Sequence, residues 1–114
     1  MEFSNKVHDA AIRYLKFKGY TILDPEFYDM DHRLIVASDG RDIAFIDVAY
    51  DINDMPEELT NISRTTFEKI VLHWFQNTND VPANVGCRFD TIDLSIVRND
   101  RALLRHHTDV ALED

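Results

Sequence analysis

The sequence predicts an α/β domain in which a central mixed sheet is flanked by two helices. Three observations carry this expectation. Apolar residues recur at helical spacing in two separate segments, an Asp39-Gly40 turn joins two strongly apolar runs, and a late segment alternates its side chains between two faces. The 114 residues give room for one hydrophobic core but not for two independent ones, so a single domain over 1–114 is expected.

In residues 4–18, Val7, Ala10, Ala11, Tyr14 and Leu15 fall on one helical face. Ser4 reads as the N-cap, and Gly19 as the residue that closes a Lys-rich last turn. From Tyr20 the pattern becomes that of a strand interrupted near Pro25. Residues 33–38 (RLIVAS) and 42–49 (DIAFIDVA) flank Asp39-Gly40 and form a hairpin. Both arms are apolar at nearly every position, which places the hairpin centrally and antiparallel. Residues 51–60 are acidic, contain Pro56 and read as an exposed loop.

A second helix is expected over about 62–77, with Ile62, Phe67, Ile70, Val71, Trp74 and Phe75 as its buried stripe and Thr65 with Glu68 as a capping box. A loop over 78–86 leads to a strand beginning near Arg88. There Phe89, Thr91, Asp93 and Ser95 share one face, and Asp90, Ile92, Leu94 and Ile96 the other. A turn at Asn99-Asp100 precedes a last element over 101–112 whose type the pattern leaves open.

Composition narrows the function classes. Apolar residues make up 45%, with seven Phe and four Tyr, which argues against disorder. The net charge of −9 repels a phosphate backbone and disfavours non-specific nucleic-acid binding. The local exceptions are Lys6, Arg13 and Lys16 on the first helix, the candidate nucleic-acid face, and Arg98, Arg101 and Arg105 near the end. A lone Cys87 excludes an internal disulfide and a cysteine-cluster metal site. No signal peptide or membrane-length apolar run is evident, so a cytoplasmic protein without a membrane partner is expected. The expected partner is another protein, not identified by sequence, and an exposed sheet edge leaves room for a homodimer.

The single acid in IAFIDVAY, Asp47, is the candidate for chemistry. Asp31, Arg33 and Ile35 share one side of the first hairpin arm, and Phe45, Asp47 and Ala49 one side of the second. Matching those faces puts Asp47 beside Asp31 and Arg33. Three readings then stand: an ion pair with Arg33, a Mg²⁺ or Mn²⁺ site shared with Asp31, or a solvent-facing acid. The ion pair leads, because a buried carboxylate needs a partner. Metal-dependent phosphodiester hydrolysis usually adds a Lys two residues after the acid, where Ala49 stands. Asp29 and His32 read as part of a solvated turn, His106 and His107 point in different directions, and Cys87 and His73 read as packing residues. There is no Gly-rich phosphate loop, no Ser-His-Asp motif and no aromatic–basic stacking platform.

Several stretches in order resemble the YraN-like (UPF0102) family of small bacterial proteins, which has the restriction-endonuclease-like fold. AAIRYLKFKGYTIL (10–23) is similar to that family's opening helix and strand, and LIVASDGRDIAFIDV (34–48) to its central hairpin. RFDTIDLSIV (88–97) resembles its late Arg-Phe-Asp strand, and RHHTDVAL (105–112) its closing His-x-x-x-Ala motif. The resemblance implies a nuclease-type site with a helix acid, a Gly-Glu-Ile-Asp strand and a Glu-x-Lys strand. The helix acid falls at Val7, the key Asp at Arg33 and Glu-x-Lys at Asp47-Val48-Ala49, while a basic residue of the second helix falls near Thr66. The resemblance thus implies a degenerate site at Asp31, Arg33, Asp47 and Ala49, with no cofactor. Asp31 and Asp47 would take Mg²⁺ or Mn²⁺ if activity survives. The leading expectation is a non-catalytic accessory or interaction protein. The alternatives are a Mg²⁺/Mn²⁺-dependent DNA or RNA endonuclease and a non-catalytic nucleic-acid binder.

Overall fold

The first helix, α1 (Glu2–Phe17), buries Val7, Ala11 and Leu15, residues spaced by four along one face. A computed structural model describes residues 2–52, 55–56, 62–78, 84–98 and 101–113. Ser4 lies inside α1, so the expected N-cap there is corrected: the helix already runs from Glu2. At the other end Gly19 closes the helix with φ +95°. The Gly19 N–H donates to Lys16 O at 3.0 Å and the Tyr20 N–H to Leu15 O at 2.9 Å, the paired bonds of a Schellman ending.

Strand β1 (Thr21–Asp29) pairs antiparallel with β2 (His32–Ser38), and its register slips on both sides of Asp24, between Ile22 and Phe27. Pro25 sits in that irregular stretch, where its missing N–H cannot serve the ladder. Its carbonyl instead accepts from Nε2 of the buried His8 at 2.6 Å, which ties α1 to the bulge. The hairpin expected around Asp39-Gly40 joins β2 to β3 (Asp42–Ile52). Gly40 adopts φ +98°, and Asp39 Oδ1 accepts from the N–H groups of Arg41 and Asp42, each at 2.8 Å.

β3 runs further than the sequence suggests. A two-residue β4 (Met55–Pro56) turns back on it, pairing Asp51 with Pro56 and Ile52 with Met55. The loop expected over 51–60 is therefore partly extended, and its residues 53–54 and 57–60 lie outside the described residues. Helix α2 (Arg64–Gln76) is capped by Ser63, whose Oγ accepts from the Thr66 N–H at 3.1 Å. That displaces the expected Thr65–Glu68 capping box, because the cap forms two residues earlier. Ile62, Ile70 and Trp74 are buried, with Phe67, Val71 and Phe75 packed around them, so the expected stripe faces the sheet.

β5 (Gly86–Arg98) returns parallel to β3 through the α2 crossover, and β6 (Arg101–His107) adds antiparallel beyond it. The last element, left open by the sequence, is thus a strand, and the Asn99-Asp100 turn lies outside the described residues. The sheet order is β1-β2-β3-β5-β6, a mixed sheet with the β2–β3 hairpin inside it. One face, with Leu34, Val36, Phe45 and Phe89, packs on α2. The other, with Ile35, Ala37, Ala44, Ile46 and Ile92, packs on α1. Past β6 the chain continues along β5: the Val110 N–H donates to Phe89 O at 2.8 Å, and Glu113 O accepts from the Arg64 N–H at 2.7 Å.

Candidate functional site

The hairpin places the candidate residues through its register. Leu34 stands opposite Asp47, and Leu34 belongs to the α2-facing core, so Asp47 points to the α2 side of the sheet. Arg33 is one residue earlier on β2 and points to the α1 side. Its Nη2 lies 3.2 Å from Asn5 Oδ1, and its Nε lies 3.2 Å from Glu26 Oε1. The expected Arg33–Asp47 ion pair is therefore corrected, because a one-residue offset exchanges every face of a strand. Asp31 is exposed in the β1–β2 turn, about 10 Å along the strand direction from the Leu34–Asp47 level. The structure does not bring Asp31 and Asp47 together.

Ala49 is buried, and the parallel register sets it beside Asp93. Asp47, Asp51 and Asp93 share this face. Ser95 Oγ lies 3.4 Å from Asp51 Oδ2, and His107 Nε2 lies 3.5 Å from Asp93 Oδ2. Among the described residues, no three His, Cys, Asp or Glu side chains are placed to hold one metal ion. Val7 is in the core, and the Thr66 hydroxyl is engaged by Ser63 Oγ at 3.0 Å. Lys6, Arg13 and Lys16 are all exposed on α1, with the exposed Asp9 one turn from both Lys6 and Arg13. His73 packs at a tilt against the Phe27 ring and meets Asp29 Oδ2 at 3.0 Å, so it joins α2 to β1. Cys87 packs beside the α2-facing core, where burial and then the neighbouring Asp42 carboxylate push its thiol pKa up.

The densest polar constellation lies away from the hairpin, around Asp90. Asp90 on β5 has no exposed surface and carries a full set of partners. Its Oδ1 accepts from Arg88 Nε at 3.0 Å and from the Asp109 N–H at 2.9 Å. Its Oδ2 accepts from Arg88 Nη2 at 3.2 Å and from His106 Nε2 at 2.8 Å. In the tautomer with Nε2–H donating to Asp90, Nδ1 accepts a hydrogen bond from the Tyr14 hydroxyl, 3.1 Å away. Arg88 reaches onward to the Tyr20 hydroxyl at 2.8 Å and to the Asp39 carboxylate in the β2–β3 loop. One buried acid thus ties together α1, the β2–β3 loop, β5, β6 and the segment after β6.

The electrostatics follow from that wiring. Burial alone would raise the Asp90 pKa, but hydrogen bonds from His106, Arg88 and the Asp109 N–H outweigh it and lower the pKa. Asp39 is held at about 2, first by the Asp42 N–H, then by Arg88 and the Arg41 N–H. Burial weakens the Arg88 cation, yet its bonds to Asp90 and Asp39 raise its pKa further. Burial, then Tyr20 and Asp90, raises the Tyr14 phenol, which stays protonated. Acid, imidazole and hydroxyl form a relay in outline. The carboxylate's acceptor sites are all taken and the phenol is disfavoured as an anion, so the arrangement locks segments together.

Two signals in the sequence point to this network. Asp90 sits on the same strand face as Ile92 and Leu94, where an acid must find a partner, and Arg88 precedes it by two residues on that face. His106 had no such signal, because the type of its element was open. No described helix is long and apolar enough to cross a membrane. A scan against protein-family models gives no match to this chain, and a search of curated proteins gives none either.

Proposed function

We propose that the chain is a non-catalytic domain of restriction-endonuclease-like architecture that works as an interaction or accessory protein. The observation that carries this reading is the opposed facing of Arg33 and Asp47. The resemblance aligns these two positions with metal-binding acids, and metal-assisted hydrolysis needs its carboxylates converging on one ion. Here one position carries a cation turned to α1 and the other an acid turned to α2. Ala49, where a water-activating amine would stand, is a buried methyl group. The architecture is supported by the succession of α1, the β1–β3 meander, the α2 crossover and a strand parallel to β3.

A Mg²⁺- or Mn²⁺-dependent nuclease is the second reading, favoured by Asp47, Asp51 and Asp93 sharing one face of the sheet. Calorimetric titration of the full chain with each ion, alongside cleavage assays on branched, single-stranded and duplex substrates, separates the two. The expected result is neither micromolar ion binding nor cleavage. Micromolar binding or cleavage that disappears in Asp47→Ala defeats the non-catalytic reading.

A further inference from the structure

The two edges of the sheet are built differently. On β1 the ladder slips twice around Pro25, which cannot donate to a further strand, and both features blunt that edge against further pairing. β6 has no Pro, and its ladder with β5 runs without a shift from Thr91–His107 to Ile96–Ala102. Its seven residues span a full-length strand, and among the described residues β5 is its one strand neighbour. Leu103 is 47% exposed, and Arg101, Arg105 and His107 are exposed as well. Arg101 and Arg105 have no ionic partner among the described residues.

We infer that the free edge of β6 takes up an extended, acidic segment of another polypeptide as an added strand. This rests on the interaction-protein reading above and names its surface and the chemistry of its partner. A row of unpaired backbone N–H and C=O groups is matched in full by another backbone. The charge of the occupant follows from Arg101 and Arg105, the two exposed cations of the strand. In a chain of net charge −9 they mark a basic edge that draws an acidic strand while the rest of the surface repels it. A second copy fits poorly. Antiparallel pairing of two β6 edges centred on Leu104 sets Arg101 against His107, and centring on Leu103 sets Arg101 against Arg105. A nucleic acid fits less well still, since its phosphodiester backbone has no run of N–H and C=O groups to complete the ladder along β6.

The test uses the full chain with a fluorescent peptide alternating Glu and Val, a matched peptide alternating Lys and Val, and an oligothymidylate of similar charge. The acidic peptide is expected to bind saturably by anisotropy and to slow amide exchange in β6. The double variant Arg101→Glu/Arg105→Glu changes only exposed side chains. It is expected to bind at least about tenfold more weakly and to shift preference toward the Lys-Val peptide. Absence of acidic-peptide binding up to about 1 mM overturns the inference, as does exchange protection outside β6. Displacement of the peptide by the oligothymidylate, or a dimer that the double variant dissolves, overturns it too. If the peptide fails while the chain stays inactive on nucleic acids, the non-catalytic reading stands without this edge. Metal-dependent cleavage defeats that reading whatever the peptide does.

Discussion

His106 Nε2 stands 2.8 Å from the fully buried Asp90 Oδ2, and this contact fastens the edge strand β6 to the interior of the sheet. The same imidazole meets Tyr14 of α1 through its other nitrogen, and Asp90 also holds the Asp109 N–H beyond β6. Buried polar groups of this kind stabilise when every donor and acceptor is satisfied and are costly when one is removed.

Asp90→Ala leaves Arg88 and His106 facing a buried gap, and is expected to lower stability by about 3–5 kcal/mol. Asp90→Asn keeps the shape and two acceptor directions and should cost less. Urea unfolding followed by the emission of Trp74, which is buried against the sheet, measures both. A loss below about 1 kcal/mol for the alanine variant means that the network is not a structural lock.

Acid should weaken the fold through Asp39 and Asp90. Asp39 sits at about 2 in the folded chain against an ordinary 3.8, and Asp90 is lowered in the same direction. As pH falls, the unfolded chain takes up these protons first. Their stabilisation is complete only above about pH 5 and is lost progressively as pH drops toward 2. Denaturation midpoints across that window should therefore rise with pH, and Asp39→Asn should flatten the slope. An unchanged slope in the variant contradicts the assigned role of Asp39.

Gly19→Ala isolates a backbone effect. Nothing lies within 4 Å of an added Cβ there, so the cost comes from φ +95° rather than from a clash. A loss of about 1 kcal/mol is expected, with Gly19→Asn milder because Asn tolerates the left-handed region. Thermal melts of the three proteins decide it, and equal losses for Ala and Asn rule out the backbone explanation.

A double-mutant cycle on Arg33→Ala and Asp47→Ala reports whether the two side chains share an interaction. Because they project from opposite faces, their stability effects should add to within about 0.5 kcal/mol. A coupling above about 1 kcal/mol restores the ion pair and removes the main support for the opposed-face argument.

Much of the fold is legible in the sequence because it is written in periodicity. The stripe from Ile62 to Phe75, the alternation from Phe89 to Leu94 and the Asp39-Gly40 turn are local patterns, and each lies where local physics puts it. Gly19 likewise needs only its own φ to end a helix. Cap positions were less secure: Ser4 and Thr65 are both good capping residue types, but Ser4 falls inside α1 and Ser63, of the same chemistry, takes the cap of α2.

The site was another matter. Whether Arg33 meets Asp47 depends on which residue of β2 stands opposite which residue of β3. Composition and turn signals leave that register open to a slip of one, and a slip of one moves a side chain to the other face. Asp90 could be flagged as an acid in an apolar row, but its closure by His106 needed β6 to be a strand. It also needed α1 to lie on that same face. The sequence by itself determined the elements, the hairpin and the inward-facing residues, since these follow from neighbours along the chain. Only the tertiary structure decided which charges meet, because that is set by register and layer order among segments far apart in sequence.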